Sequence, residues 1–261
     1  MAKPAPRELE VIRSTRVTPH MQRITLGGAE INSFPEDQES AYIKLMFPQN
    51  GDERPQVRTY TVRRQTRDTI DVDFALHGHA CADDTLSTQG PASTWAQQAK
   101  PGDRIWVGGP GPKKLINPSA DWFLLAGDMT ALPAISVNLA LLPDDAQGYA
   151  VIEVVDESDI QSIQHPPRVE LIWVINPIAT DQHHPLLDRI QQLNWLPGQP
   201  AVWAACEFNS MRALRKYLKQ ERAIPKSHLY ISSYWKIGSS ETQHKTAKRE
   251  DEAQQSDGAD R

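Results

Sequence analysis

The chain has 261 residues, of which 39% are hydrophobic and 23% charged, with a formal net charge of −5. This is ordinary globular composition, long enough for two modest domains, and its mildly acidic balance argues against generic nucleic-acid binding. No apolar run reaches the roughly 18 residues of a membrane span, so no membrane insertion is expected. The start, "MAKPAPRELE", lacks the apolar stretch of an export signal, and Cys81 and Cys206 stand apart outside any paired-cysteine spacing. A cytoplasmic, reducing address without disulfides or a structural metal is the expectation.

The first half reads as short strands at 8–18, 21–28, 41–48, 57–63, 69–78 and 103–110, rich in β-branched and aromatic residues and punctuated by Gly, Pro and Asp. In "TIDVDFALHG", Ile70, Val72, Phe74 and Leu76 alternate with Asp71, Asp73, Ala75 and His77, which predicts one buried and one exposed or ligand-facing side. Six such strands with a helical break at "PASTWAQQA" predict a small closed antiparallel barrel.

From residue 122 the pattern changes to uniformly apolar strands alternating with helices: strands at 122–128, 149–156, 168–177, 200–206 and 228–235, and helices at 129–143, 184–195 and 209–221. Such a series predicts a parallel sheet covered on both faces. The expected units are a barrel over 1–115 and a parallel α/β domain over 116–238. The remainder, 239–261, has six acidic and four basic residues, hence −2, and no aliphatic side chain larger than alanine, so it reads as a disordered tail.

The stretch "RTYTVR" concentrates cations and hydroxyls on a strand. Arg58 and Tyr60 share one side, while Thr59, Thr61 and Arg63 share the other. A charged edge strand is one explanation, and a bound anion with a ring system is another. Downstream, Gly90 and Pro91 open a helix whose first-turn amides, at Ala92, Ser93 and Thr94, lack intrahelical partners and suit a phosphate. His77 and His79 with Asp83 are too sparse a set for a metal site.

In order, "AYIKLMFP", "RTYTVR", "HGHACADDTLSTQGPASTWA", "LLAGDMTALPAI", "NPIAT" and "SYWKIG" resemble the siderophore-interacting proteins, or ferric-siderophore reductases, within the ferredoxin-reductase-like flavoproteins. The resemblance runs over about residues 8–238. It implies FAD in the first domain, held by Arg58, Thr59, Tyr60, Thr61, His77, Pro91, Ala92 and Ser93. It implies NAD(P)H in the second, at Gly127, Asp128, Thr130 and Ala131, with Cys206 and Glu207 beside the nicotinamide. The single glycine of "LLAGDMTALPAI" is a weak dinucleotide fingerprint, which leaves an ordinary strand–helix turn, or a ferredoxin-like electron donor, as alternatives.

The acids of "VVDESDIQ", namely Asp156, Glu157 and Asp159, follow the second strand of that domain and favour NADH over NADPH, because they repel a 2′-phosphate and accept bonds from a free ribose. The resemblance further implies a ferric siderophore, hydroxamate or catecholate, in a shallow basic hollow formed by Lys44, Lys236 and Arg64, with Lys113 and Lys114 as possible additions. Trp235 would shield the flavin or fill the domain interface. The chemistry implied is hydride acceptance by FAD and delivery of single electrons to ferric iron, with no catalytic side chain beyond the flavin. A flavin reductase with another acceptor, or a non-catalytic flavin- or chelate-binding protein, is the alternative.

Overall fold

The computed structural model describes residues 5–47, 55–76 and 90–259. Six strands build the first unit: β1 (Arg7–Thr18), β2 (Met21–Gly27), β3 (Tyr42–Phe47), β4 (Gln56–Gln65), β5 (Ile70–Ala75) and β6 (Arg104–Gly108). They close in the order β1-β2-β5-β4-β3-β6, with every pairing antiparallel. Closure leaves no sheet edge, so the charges of β4 are not the protection of an edge strand. Leu9, Val11, Ile24, Leu26, Ile43, Leu45, Val62, Val72 and Phe74 fill the interior.

One expectation for β5 is corrected. Asp71 and Asp73 are not exposed but buried, at 7% and 6% accessibility. Arg23 donates two bonds to Asp73, at 2.6 and 2.7 Å, and the Thr25 hydroxyl donates to Asp71 at 2.6 Å. Alternation predicted the faces of β5 correctly, but a carboxylate satisfied by a bidentate arginine can be buried at the cost of its hydration.

Helix α1 (Pro91–Gln98) begins with proline at its first position, after an extended Gly90, where proline's fixed φ and missing N–H cost nothing. Its Trp95 ring lies 5.8 Å from the Phe74 ring and 5.7 Å from that of Phe47, which seats the helix on the barrel.

The second unit comprises β7 (Trp122–Gly127), α2 (Leu132–Leu141), β8 (Gln147–Val154), β9 (Arg168–Ile175), α3 (Pro185–Gln191), β10 (Pro200–Glu207), α4 (Phe208–Lys216) and β11 (Leu229–Trp235). Tyr217–Glu221 continues α4 as a π-type turn. The five strands are parallel in the order β11-β10-β7-β8-β9. β7 and β10 are buried along their whole length, as strands covered on both faces must be. α2 is buried from Leu132 to Leu139 because it lies between β7 and the barrel strand β4.

The disordered tail is also corrected. Glu241–Ala259 forms a helix, α5, packed against β11. It docks through polar anchors. The Arg215 guanidinium makes two bonds to Asp251, at 2.7 and 2.8 Å, Lys248 Nζ donates to Ser232 at 2.7 Å, and His244 Nε2 meets the Ser233 hydroxyl at 2.8 Å. Burial, reinforced by Lys248, Lys236 and Lys245, pushes the His244 imidazole down to about 4, so it is neutral at pH 7. Composition alone predicted disorder because no aliphatic stripe was present, and a seat made of ion pairs leaves no such stripe. Among the described residues no helix is long and apolar enough to cross a membrane.

The two units share an interface. The buried Asp159 carboxylate accepts from the Thr18 hydroxyl at 2.7 Å and from the His20 backbone N–H at 3.0 Å, and contacts His20 Nδ1 at 2.7 Å. Asp159 is therefore a domain latch, and of the three acids expected near a ribose only Asp156 and Glu157 remain exposed.

Candidate functional site

The register of β3 against β4 places Leu45 opposite Arg58, Ile43 opposite Tyr60, and Lys44 opposite Thr59. Directly opposed residues share a face. Arg58 and Tyr60 thus lie on the side of the buried Ile43 and Leu45, while Thr59 and Thr61 lie on the outer side with Lys44. The Tyr60 ring packs 4.3 Å from Phe74, and burial pushes its hydroxyl well above the usual tyrosine range, so it is a neutral donor at any ordinary pH. Through Phe74 and Trp95, β4 and α1 are joined by one aromatic cluster.

No side chain caps α1 among the described residues, so its first-turn amides, those of the buried Ala92 and Ser93 among them, are uncapped beside that cluster. A cation, hydroxyls and an open helix N-terminus are what a diphosphate joined to an aromatic ring system requires. These residues fit FAD. His77 lies outside the described residues, as do His79, Cys81 and Asp83.

Arg58 is half-buried and engaged. It donates to the Gln56 side chain at 2.9 Å and to the Val57 carbonyl at 3.2 Å, and its Nε lies 3.6 Å from the Glu241 carboxylate at the start of α5. The sequence reading missed Glu241. A signal for it existed in Ser240-x-x-Gln243, a capping-box pattern: Ser240 N–H donates to Gln243 Oε1 at 2.8 Å and Gln243 N–H to Ser240 Oγ at 3.4 Å.

At the carboxyl edge of the parallel sheet, where ligands of such folds bind, the expected residues mostly hold the sheet's own turns. A Cβ on Gly127 would lie 2.4 Å from the Ala205 carbonyl oxygen and 2.7 Å from Ala131 Cβ, so the glycine permits close strand–helix packing. Asp128 accepts at Oδ1 from the Thr130 N–H and hydroxyl, at 2.9 and 2.5 Å, and at Oδ2 from the Trp235 indole at 2.7 Å. Trp235 therefore ties β11 to the β7 turn.

Cys206 is 2% exposed, and burial, added to the fields of Asp128, Glu153 and Glu207, raises its thiol far above the usual range. Glu207 caps α4, its Oε2 accepting from the N–H groups of Asn209 and Ser210 at 2.6 and 3.0 Å. Glu153, which the sequence reading did not single out, ends β8 in the same group of acids. Burial pushes it up to about 7, against the opposing bond donated by Asn176 at 2.9 Å.

Of the residues expected to form a basic hollow, Lys44 and Arg64 lie apart on the barrel wall. Lys44 is exposed on β3, opposite Thr59, while Arg64 lies five residues further along β4, opposite Asp71, about 16 Å away at strand spacing. Lys236 Nζ sits 4.9 Å over the Phe208 ring. Lys245 and Lys248 of α5 add two cations on that side, and the first pairs with Glu241 at 2.5 Å.

A closed antiparallel barrel carrying an open helix terminus, set against a parallel five-stranded sheet, defines the ferredoxin-reductase type of two-domain protein. Ferredoxin–NADP+ reductase from Plasmodium falciparum has this fold, with a TM-score of 0.63 at 12% identity over 88% of this chain and 96% of that one. Residues 10–56 and 49–114 match the siderophore-interacting FAD-binding domain, and residues 120–238 match the siderophore-interacting protein model.

The ferric vibriobactin reductase ViuB of Vibrio cholerae is 35% identical, covering 90% of this chain and 91% of its own length. The siderophore-interacting protein SipS from Aeromonas hydrophila superposes with a TM-score of 0.81 at 31% identity, over 94% of this chain and 97% of that one. The chain belongs to the siderophore-interacting protein family.

Proposed function

We propose that the protein is a FAD-dependent ferric-siderophore reductase that takes electrons from NAD(P)H and lets iron leave its chelate in the cytoplasm. The observation that carries this reading is the set of Arg58, Tyr60 and Thr61 on β4, joined through Phe74 and Trp95 to the open terminus of α1, inside a family FAD-binding domain. In this reading Arg58, with the amides of Ala92 and Ser93 and the Ser93 hydroxyl, holds the diphosphate. Tyr60 lies against the ring system, the Thr61 hydroxyl bonds near its edge, and Thr59 and Pro91 complete the wall. Bound FAD supplies two-electron acceptance from a nicotinamide and one-electron delivery to ferric iron. The chain's own residues bind, orient and exclude water.

The nicotinamide nucleotide is placed at the carboxyl edge of β7 and β10, where the turn Gly127, Asp128, Thr130 and Ala131 and the end Cys206–Glu207 form the floor. Asp128 and Glu207 act there by holding the turn and the α4 cap rather than by reaching the ligand. NADH remains the favoured donor because Asp156 and Glu157 stand exposed after β8, a negative edge that opposes a 2′-phosphate. The substrate is a ferric siderophore, hydroxamate or catecholate, with Lys44 and Lys236 as its cationic contacts and Arg64 at the far end of β4.

The test is anaerobic reduction of the bound flavin with NADH, followed by addition of a ferric hydroxamate while the visible spectrum is recorded and ferrous iron is trapped. Flavin reoxidation matched by ferrous iron is the expected result. Reduction without reoxidation would point to another acceptor, and no reduction by NADH or NADPH would point to a ferredoxin-like donor.

A further inference from the structure

We propose that α5 is a strap that competes with FAD for Arg58, with the Glu241 carboxylate occupying the guanidinium that the cofactor's diphosphate needs. The inference rests on the flavin reading above and adds to it a device within the same site.

Three observations carry it. First, Glu241 is mostly buried, its side chain 14% exposed, and it lies 3.6 Å from Arg58 Nε. The two residues are 183 positions apart, and the contact joins the barrel to the last helix of the chain. At 3.6 Å the contact is an ion pair, while the terminal nitrogens of Arg58 donate to Val57 and Gln56, so what a carboxylate and a phosphate would compete for is the guanidinium's positive charge. Second, the other anchors of α5 are almost all polar: Asp251 to Arg215 and Arg212, His244 to Ser233, and Lys248 to Ser232. The apolar contacts of α5 are few, His244 edge-on to Phe208 and Ala247 against the core beneath α4, so the helix can leave without exposing a large apolar face. Third, the connection to β11 runs through Gly238 at φ +65°, a left-handed conformation that glycine adopts freely, followed by Ser239 and Ser240. That is a hinge at the base of the helix.

The direction of competition follows from charge. A diphosphate brings two negative charges to Arg58 and to the uncapped amides of α1, whereas Glu241 brings one, shared between Arg58 and Lys245. FAD therefore displaces Glu241, and the Lys245 that pairs with it is released at the same time. With FAD absent, the strap covers Arg58 and supplies its counter-charge.

The experiment is equilibrium dialysis of full-length wild type and Glu241→Gln against FAD, with amide hydrogen exchange of wild-type α5 measured with and without saturating FAD. Glutamine keeps the length of the side chain and removes the charge. The expected results are a three- to tenfold tighter Kd for FAD in E241Q and faster exchange across 241–254 in wild type when FAD is bound. An equal Kd in both proteins, with α5 exchange unchanged by FAD, would overturn the strap and leave the FAD reading standing. If neither protein bound FAD, the FAD reading would fall and the strap with it.

Discussion

The His20 imidazole and the Asp159 carboxylate meet at 2.7 Å, one on the barrel and one after β8, and the acid is completely buried. Asp159 also holds the Thr18 hydroxyl and the His20 N–H, so a single side chain satisfies three donors from the β1–β2 turn. Asp159→Ala should lower the unfolding free energy by about 3 kcal/mol, since it strips charged hydrogen bonds from buried partners. Urea denaturation of both proteins measures it. A loss below about 0.5 kcal/mol, the size of an ordinary surface substitution, would mean that the latch contributes nothing.

Glu153 gives stability a pH dependence. Its folded-state pKa is about 7 against an ordinary 4.5, so between those values the folded chain binds a proton that the unfolded chain has lost. The stabilisation is fully present below pH 4.5 and is lost as pH rises through 7, with an amplitude of about 3 kcal/mol at most. Thermal melts from pH 5 to 8 should show this decline, and Glu153→Gln should flatten it. A slope unchanged in the glutamine variant would assign the decline to another group.

Arg58→Ala removes the one β4 guanidinium on the Tyr60 side. FAD affinity should fall by at least tenfold, about 1.5 to 3 kcal/mol for a lost charge-assisted contact, while the melting temperature of the flavin-free protein changes little. Flavin content after purification reads the first and calorimetry the second. Undiminished flavin content would remove Arg58 from the cofactor site.

Asp251 anchors α5 through Arg215 and Arg212. Asp251→Ala should loosen the helix by about 2 kcal/mol and open the 241–254 segment to limited proteolysis, with the rest of the chain intact. Cleavage at the wild-type rate would show that His244 and Lys248 suffice to hold it.

Much of this architecture is legible in residue order. The strands of the barrel and the parallel strands β7, β8, β9, β10 and β11 follow from period-two patterning and from uniform apolar runs, because burial of one or two faces leaves that mark directly. The grouping of Arg58 with Tyr60, and of Thr59 with Thr61, follows from strand alternation alone. Long-range pairing of polar residues leaves no comparable mark. Asp159 reads like any acid in a polar turn until the β1–β2 turn is set against it, and Asp73 reads as solvent-facing until Arg23 is opposite. Helix α5 shows the same limit, since an ion-pair seat looks like a soluble tail in composition, and only Ser240 and Gln243 signalled a helix start.

Met21 belongs to the barrel by sequence, yet it is fully buried in the same apolar cluster as Leu125, Ile152 and Trp203 of the parallel sheet, with Val17 and Ala75 packed alongside. The division near residue 115 is thus a division of topology rather than of melting. Heating should give a single calorimetric transition whose enthalpy matches the van't Hoff value for the whole chain. Either half expressed alone would leave part of that cluster facing water, and should be recovered as aggregate unless the missing half is supplied.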